Sequence, residues 1–330
     1  MRAIEVTEAG GLNSLRFADL PEPVAGSGEA VIDVAFAAAN WSDIQKREGV
    51  YPDPVTYPAV IGLEVSGRVS ALGPGVNGLE IGQRVAAITG PRMLGGYAER
   101  CVVGADYVIP LPDEISLETG AAFPVVTLTA YHLINSAFDL KRGDTVLVHA
   151  IGGAVGLAVT QLAVAKGATV IGTVSRRGKG DRARDYGAHL VIDRSTQDFA
   201  EATREFTGGA GVDLVIDSLG GDVLPRSIDL LKTYGHAINI GEAAGYPTFD
   251  IRPKLYENST SLAGFEVLHA LRVPGLWQEG VAAVVGHLVS GALEMPVEEV
   301  FPFDAVRDLH RKLESRTVSG KLLLEIAGSR

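Results

Sequence analysis

Residues 143–177 read GDTVLVHAIGGAVGLAVTQLAVAKGATVIGTVSRR. Residues 144–150 alternate and then run apolar with two valines, the pattern of a strand buried in a parallel sheet. The glycine-dense bend Ile151-Gly152-Gly153-Ala154-Val155-Gly156 follows, then a helix rich in Ala, Leu and Val that Gly167 ends, then a second buried strand over residues 168–174. Strand, glycine turn, helix and strand within about 30 residues is the size of a dinucleotide-binding half. At the start of such a helix, N–H groups without intrahelical partners and the positive end of the dipole together bind a pyrophosphate.

Downstream, the pattern repeats. It predicts a helix over 178–186 stopped by Gly187, a strand over 189–193 and a helix over 199–206. A strand over 213–218, a helix over 223–231 and a strand over 236–240 follow. Regular alternation of strand and helix argues for a parallel, doubly wound α/β sheet. Upstream, the texture differs. Short strands are predicted over 2–7, 15–19 and 29–35, and the alternation then breaks over 37–43 to open a short helix capped by Ser42 or Asn40. Residues 48–52 read as a loop. Strands between glycine turns fill 59–103, which suggests a barrel-like β domain. Helices over 117–122 and 125–138 lead into the wound region. The last segment reads as a strand over 261–268, helices over 276–290 and 304–316, and a strand over 321–326; periodicity alone assigns it to neither domain.

A length of 330 residues fits about two domains. With 46% hydrophobic and 21% charged residues the composition is that of a soluble globular protein. The net charge of -11 argues against a nucleic-acid partner, although it leaves room for a nucleotide in a locally basic pocket. One cysteine, Cys101, excludes an intrachain disulfide and a cysteine-rich zinc site. No signal peptide and no membrane-spanning run is visible, and a cytoplasmic location is expected.

The end of the second strand bears on the cofactor. An acid about 20 residues after the glycine turn would bind the ribose 2′-hydroxyl of NAD. Here the chain reads Thr173-Val174-Ser175-Arg176-Arg177-Gly178-Lys179, with no acid and three cations. Guanidinium groups suit a 2′-phosphate by charge and forked geometry, so NADPH is expected. The seven histidines show no paired metal-ligand spacing. His149 reads as a packed side chain, Cys101 as a core residue, and Asp43 and Glu64 as partners in structural salt bridges before catalytic acids.

Over nearly its full length the chain resembles the zinc-independent quinone oxidoreductase (zeta-crystallin-like) branch of the medium-chain dehydrogenase/reductase superfamily. The motifs that carry the resemblance are AANWSD (38–43), GVYP (49–52), GLEVSGRV (62–69) and GPGVNGLEIGQRV (73–85). They continue through GGYAE (95–99), TLTAY (127–131), DSLGGD (217–222) and LESRTVSGKLLL (313–324). Their order and spacing are specific together.

The resemblance implies a GroES-like β domain over 1–122, a Rossmann NADPH-binding domain inserted over 123–264, and a return to the first domain over 265–330. It also implies a homodimer joined edge to edge near 261–268. Zinc-dependent relatives have a Cys at the position of Asn40 and a His at that of Leu63; an amide and an aliphatic side chain do not hold zinc, so a metal-free enzyme is expected. Without a metal Lewis acid the fitting reaction is hydride transfer from NADPH to a quinone or other α,β-unsaturated carbonyl. The alternatives are an enoyl-thioester reductase and a non-enzymatic, crystallin-like NADPH-binding protein. By the same resemblance, Asn40, Trp41, Asp43 and Tyr51 line the cleft between the domains, Trp41 and Asp43 as cofactor contacts and Asn40 or Tyr51 as donor of the catalytic hydrogen bond; Tyr51 is equally read as a packing lid over the nicotinamide. Gly153, Ala154 and Val155 meet the pyrophosphate, and Ser175, Arg176 and Lys179 the 2′-phosphate. Arg194 flanks the adenosine, Thr129 the nicotinamide ribose, and Ser218, Gly241, Phe265 and Val267 the nicotinamide, while Arg316 reaches the pyrophosphate. The chain departs from the family turn at Ala154, where the pattern has glycine.

Overall fold

The structure, a computed structural model, describes residues 1–326. It divides into two units, one of residues 126–294 and one that joins 1–125 to the described residues from 295 onward. The wound region is inserted into the other, as expected, but the return begins at Met295. Residues 265–294 stay with the wound unit because the helix Leu276–Ser290 buries Trp277, Gly280 and Val284 there. Gly280 lies so close to His132 that a Cβ would stand 2.4 Å from its Nε2.

In the wound unit six parallel strands lie in the order Leu190–Asp193, Thr169–Val174, Thr145–His149, Val212–Asp217, Leu231–Asn239 and Ser261–Gly264. By sequence this is third, second, first, fourth, fifth and sixth, the Rossmann order. Leu147, Ile171, Ile192 and Val215 are almost fully buried in its core, with Phe199, Leu224 and Ile228 from helices. The expected strand over 261–268 is shorter than its sequence pattern. It stops at Gly264 and a 3-10 turn, Val267–Arg272, follows, because the Glu266 carboxylate accepts from Leu268 N–H and caps that turn. Ser261–Gly264 is an outer edge of this sheet. The helix expected over 178–186 narrows to Asp181–Asp185, since Gly178 has φ +83° and makes a turn. The helix Val223–Ile228 likewise ends early, giving Leu231 onward to the fifth strand. Sequence reading missed the short helix Ile251–Tyr256 and the strand Val297–Pro302.

The other unit carries a three-stranded sheet and a seven-stranded sheet. Its spine is Glu29–Ala39, longer than the expected 29–35. Ala37, Ala38 and Ala39 do not break the strand. They are buried on both faces, where alternation is not required. Ala38 pairs with Glu64 on one side, and Ala39 with Leu322 on the other. The helix Trp41–Glu48 follows, with Asn40 as its N-cap and Gly49, at φ +74°, as its left-handed stop. Cys101 is buried among the apolar strands, and burial pushes its thiol up to about 12. Among the described residues no helix is long and apolar enough to cross a membrane.

Candidate active site

The glycine turn of the wound unit joins the first strand to the helix Ala154–Ala165, with Gly153 as N-cap. Two glycines there are required by close approach. A Cβ on Gly152 would stand 2.0 Å from the Lys179 carbonyl oxygen, and one on Gly156 2.5 Å from Ile151 Cα. Gly153 is less confined, its Cβ meeting only Ala150 O at 3.3 Å. Ala154 is the first helical residue and half-buried, so its side chain has room there. Gly152 supplies the close approach, and the N–H groups of Ala154 and Val155 lie in the first helical turn, which has no intrahelical acceptors for them.

Gly152 also brings the second strand's turn against the first. Beside it is a cavity of about 400 Å³ lined by Val174, Arg177, Gly178, Gly180, Asp181, Arg184 and Asp193. Arg184 pairs with Asp181 at 2.7 Å. The Asp193 carboxylate is turned to the N–H and hydroxyl of Ser195, whose hydrogen bonds hold it below the usual range. Arg177 lines the same cavity as Asp193, and its charge helps to hold that carboxyl down. Ser175 and Arg176 are exposed and Lys179 is half-buried on the same turn. Arg177 and Arg184 were not among the expected contacts. The basic run pointed at the turn but not at which cation faces the cavity.

At the carboxyl ends of the fourth and fifth strands, Ser218 and Gly241 come together, a Cβ on Gly241 being 3.6 Å from Ser218 O. Buried Asp217 shapes this turn by accepting from Leu219 N–H (2.9 Å) and Gly220 N–H (3.0 Å); burial raises its pKa while those bonds pull it down. First and fourth strands are neighbours, and their carboxyl ends form the point where the winding reverses, the place where such sheets bind ligands. Thr129 is buried on the helix Pro124–His132, Val267 is buried, and Phe265 and Arg194 are half-buried. His149 bonds Thr173 Oγ1 (2.9 Å) and Ser227 Oγ (2.8 Å). Burial, reinforced by Arg194, depresses it to about 3, so it is a neutral core group as expected.

In the other unit, three distant segments meet around Asn40. Lys321 Nζ lies 2.5 Å from Glu64 Oε1, with the two side chains 2% and 0% exposed. Glu64 Oε2 accepts from Val125 N–H at 2.8 Å. The Asn40 carboxamide completes the network: Nδ2 donates to Glu64 (2.9 Å), and Oδ1 accepts from Lys321 (2.8 Å). Only this orientation of the amide sets N–H against carboxylate and oxygen against ammonium. Its second N–H faces Ala38 O at 3.4 Å. The polar atoms of Asn40, one of the two expected hydrogen-bond donors, thus have partners within the protein.

Asp43 departs from the expectation. It is fully buried rather than lining a cleft, and accepts from Asn40 N–H (2.9 Å) and Gly62 N–H (3.1 Å). Burial raises its carboxyl to about 6 against the pull of Lys46 and those N–H groups. Glu64 makes the expected salt bridge, whereas Asp43 is held by backbone. Tyr51 is half-buried in the loop after the helix, with Lys46 Nζ 4.6 Å from its ring centroid. Arg316, at a left-handed φ of +56°, stands over the Trp41 ring at 5.2 Å, so two expected contacts are neighbours. Lys46 and Lys321 were missed; Lys46 stands beside Arg47 in the last turn of its helix, where cations are ordinary, and Lys321 is the one cation of its strand, so neither is announced by a local pattern.

Comparison with known proteins follows the same division. Residues 26–113 match the alcohol dehydrogenase GroES-like domain, and residues 154–301 match the zinc-binding dehydrogenase family. A 2-haloacrylate reductase from Burkholderia sp is 31% identical, covering 98% of this chain and 98% of its own. The quinone oxidoreductase of Escherichia coli, solved with NADPH, has a TM-score of 0.93 and 30% identity over 99% of this chain and 100% of that one. A mycobacterial protein solved with NADPH gives a TM-score of 0.93 and 35% identity over 99% and 100%. The chain belongs to the medium-chain dehydrogenase/reductase superfamily. The zeta-crystallin-like quinone oxidoreductase branch is the part of the superfamily it fits, with a GroES-like unit and a Rossmann unit. Against the superfamily's zinc pattern, Asn40 is bound to Glu64 and Lys321, and Leu63 is an apolar side chain 1% exposed. Among the described residues no group of three or more His, Cys, Asp or Glu is placed to hold a metal ion.

Proposed function

We propose that this protein is an NADPH-dependent, zinc-independent reductase that delivers hydride to a quinone or another α,β-unsaturated carbonyl. The observation that carries the reading is the pair of anion sites on one edge of the Rossmann sheet. Free first-turn N–H groups behind Gly152 suit a pyrophosphate, and the Arg177 and Arg184 cavity at the end of the neighbouring strand suits a 2′-phosphate. The cradle of Gly152 and Gly156 is what a cofactor backbone approach needs. Relatives named for haloacrylate and quinone reduction support a conjugated acceptor.

NADPH, when bound, supplies the hydride from its nicotinamide ring. The Ala154 and Val155 N–H groups would hold the pyrophosphate, and Arg177 with Arg184 would hold the 2′-phosphate, with Ser175 and Lys179 on the same turn. Asn40 and Leu63 offer neither thiolate nor imidazole, so the acceptor must be polarised by a hydrogen bond. Tyr51 is the donor we assign, because it is half-exposed on the loop that follows the helix, whereas Asn40 is held by Glu64 and Lys321 as the start of that helix. Asn40, gripped by Glu64 and Lys321, fixes the start of the helix that leads to Tyr51.

The test is NADPH oxidation against quinones, enones, 2-haloacrylates and enoyl thioesters, with and without a chelator. Turnover of a quinone, enone or haloacrylate that survives chelation is expected. Tight NADPH binding with no turnover of any acceptor would sink the enzyme reading, and turnover confined to enoyl thioesters would replace the acceptor class.

A further inference from the structure

Lys46 is buried to 1% exposure on the helix Trp41–Glu48, although no carboxylate lies within ion-pair distance of it among the described residues. A lysine is seldom buried without such a partner. Its Nζ donates instead to the carbonyls of Arg92 (2.9 Å) and Met93 (2.7 Å), and it faces the Tyr51 ring at 4.6 Å. Two of the three ammonium donors are thus taken by backbone, and the aromatic face lies within cation–π range. Burial lowers its pKa, with Asp43 and Asp53 opposing that shift from longer range.

The loop that carries Tyr51 is tied at both ends to the same turn of helix. Gly49 and Val50 N–H groups donate to Gln45 O, and the Tyr57 hydroxyl donates to Lys46 O at 2.5 Å. Between these anchors, the Lys46 ammonium is a contact that reaches Tyr51 itself. It also ties this loop to the segment holding Met93, a non-glycine residue at φ +50° that is closed by Met93 N–H to Gly90 O (3.0 Å).

We propose that Lys46 is a positioning residue for Tyr51, setting the ring and strengthening its hydroxyl as a donor to the acceptor oxygen. This rests on the assignment of Tyr51 as the hydrogen-bond donor. A cation on the ring face favours the negative charge that grows on the phenol oxygen as its hydrogen bond to the reduced acceptor tightens. An apolar side chain would pack the same space without a buried charge to desolvate, so packing alone does not account for an ammonium here. Lys46 does not reach substrate in this reading, since two of its donors are directed at the carbonyls of Arg92 and Met93 and its ammonium faces the Tyr51 ring.

Steady-state kinetics on the full chain test it, with NADPH and whichever of 1,4-naphthoquinone, cyclohexenone or 2-chloroacrylate has the highest kcat/KM. Lys46→Met should lower kcat about tenfold, the scale of a desolvated cation–π contact, and leave the NADPH KM within about twofold. Lys46→Arg should recover part of the loss, and Lys46→Met should cost nothing more in a Tyr51→Phe background. If Tyr51→Phe lowers kcat and Lys46→Met does not, or if the two losses multiply, the positioning role is wrong while the donor assignment stands. If Tyr51→Phe leaves kcat unchanged, the donor assignment falls and takes this role with it. Should Lys46→Met melt below the assay temperature, Lys46→Arg decides. A folded Arg variant with kcat near the parent supports the role, and one as slow as Tyr51→Phe overturns it.

Discussion

The Rossmann turn and the Asn40 cluster are both polar sites, built by opposite means. The turn is made of backbone. Its working groups are N–H donors, and the side chains that matter are the ones absent at Gly152 and Gly156. The Asn40 cluster is made of side chains drawn from separations of 24, 257 and 281 residues. Backbone sites tolerate most substitutions away from their close contacts, because no side-chain functional group is involved. A buried side-chain network has less tolerance, since Asn40, Glu64 and Lys321 satisfy one another and removing one strands polar atoms on the other two.

That difference predicts where the largest stability loss falls. Lys321→Met leaves the Glu64 carboxylate at 0% exposure without its cation. Breaking a buried pair by removing one partner costs about 3–5 kcal/mol. Urea denaturation should read that loss, and Glu64→Gln combined with Lys321→Met should recover most of it, since the stranded charge is gone. A single-variant loss under about 1 kcal/mol would place the pair with exposed salt bridges and remove the contrast.

The same contrast explains what the sequence made legible. Strand, glycine turn and helix are contiguous, so their periodicities and a parallel, doubly wound sheet could be read from residues 143–240 directly. The buried spine Glu29–Ala39 was read four residues short, because three alanines between two strands carry no alternation. Asn40 was singled out by its motif, but its bonds to Glu64 and Lys321 were not foreseen. Whether an amide faces substrate or protein depends on Lys321, and nothing near Asn40 in the chain encodes that partner. Arg177 was hidden differently. Four residues of the turn, Ser175, Arg176, Arg177 and Lys179, look equally suited to an anion, and only the backbone path at Gly178 decides which one faces the cavity.

Within the turn itself the next effect is smaller and local. Gly152→Ala puts a methyl 2.0 Å from the Lys179 carbonyl oxygen, a backbone atom that cannot swing aside. Overpacking of this kind costs about 1–3 kcal/mol. NADPH affinity, followed by fluorescence titration, should fall about tenfold or more, because both anion sites share that contact. Ala154→Gly, two residues on, should leave affinity within about twofold, since this Cβ has room. Equal effects at the two positions would show that the turn needs glycine generally and not at the one close approach.

The smallest effect concerns the choice between the two adjacent arginines. Arg177 lines the cavity of about 400 Å³, whereas Arg176 does not. A hydrogen bond to a charged group is worth about 1.5–3 kcal/mol when well formed, and an exposed site sits at or below the low end of that range. Arg177→Ala should therefore raise the Michaelis constant for NADPH about tenfold, leave that for NADH unchanged, and weaken the dependence of NADPH binding on salt. Arg176→Ala should do less on all three. The differential between the two cofactors is the informative quantity, because a general disturbance of the turn would move both alike. If Arg176→Ala produces the larger NADPH-selective loss, the 2′-phosphate sits outside the cavity, and the assignment by motif was better than the assignment by geometry.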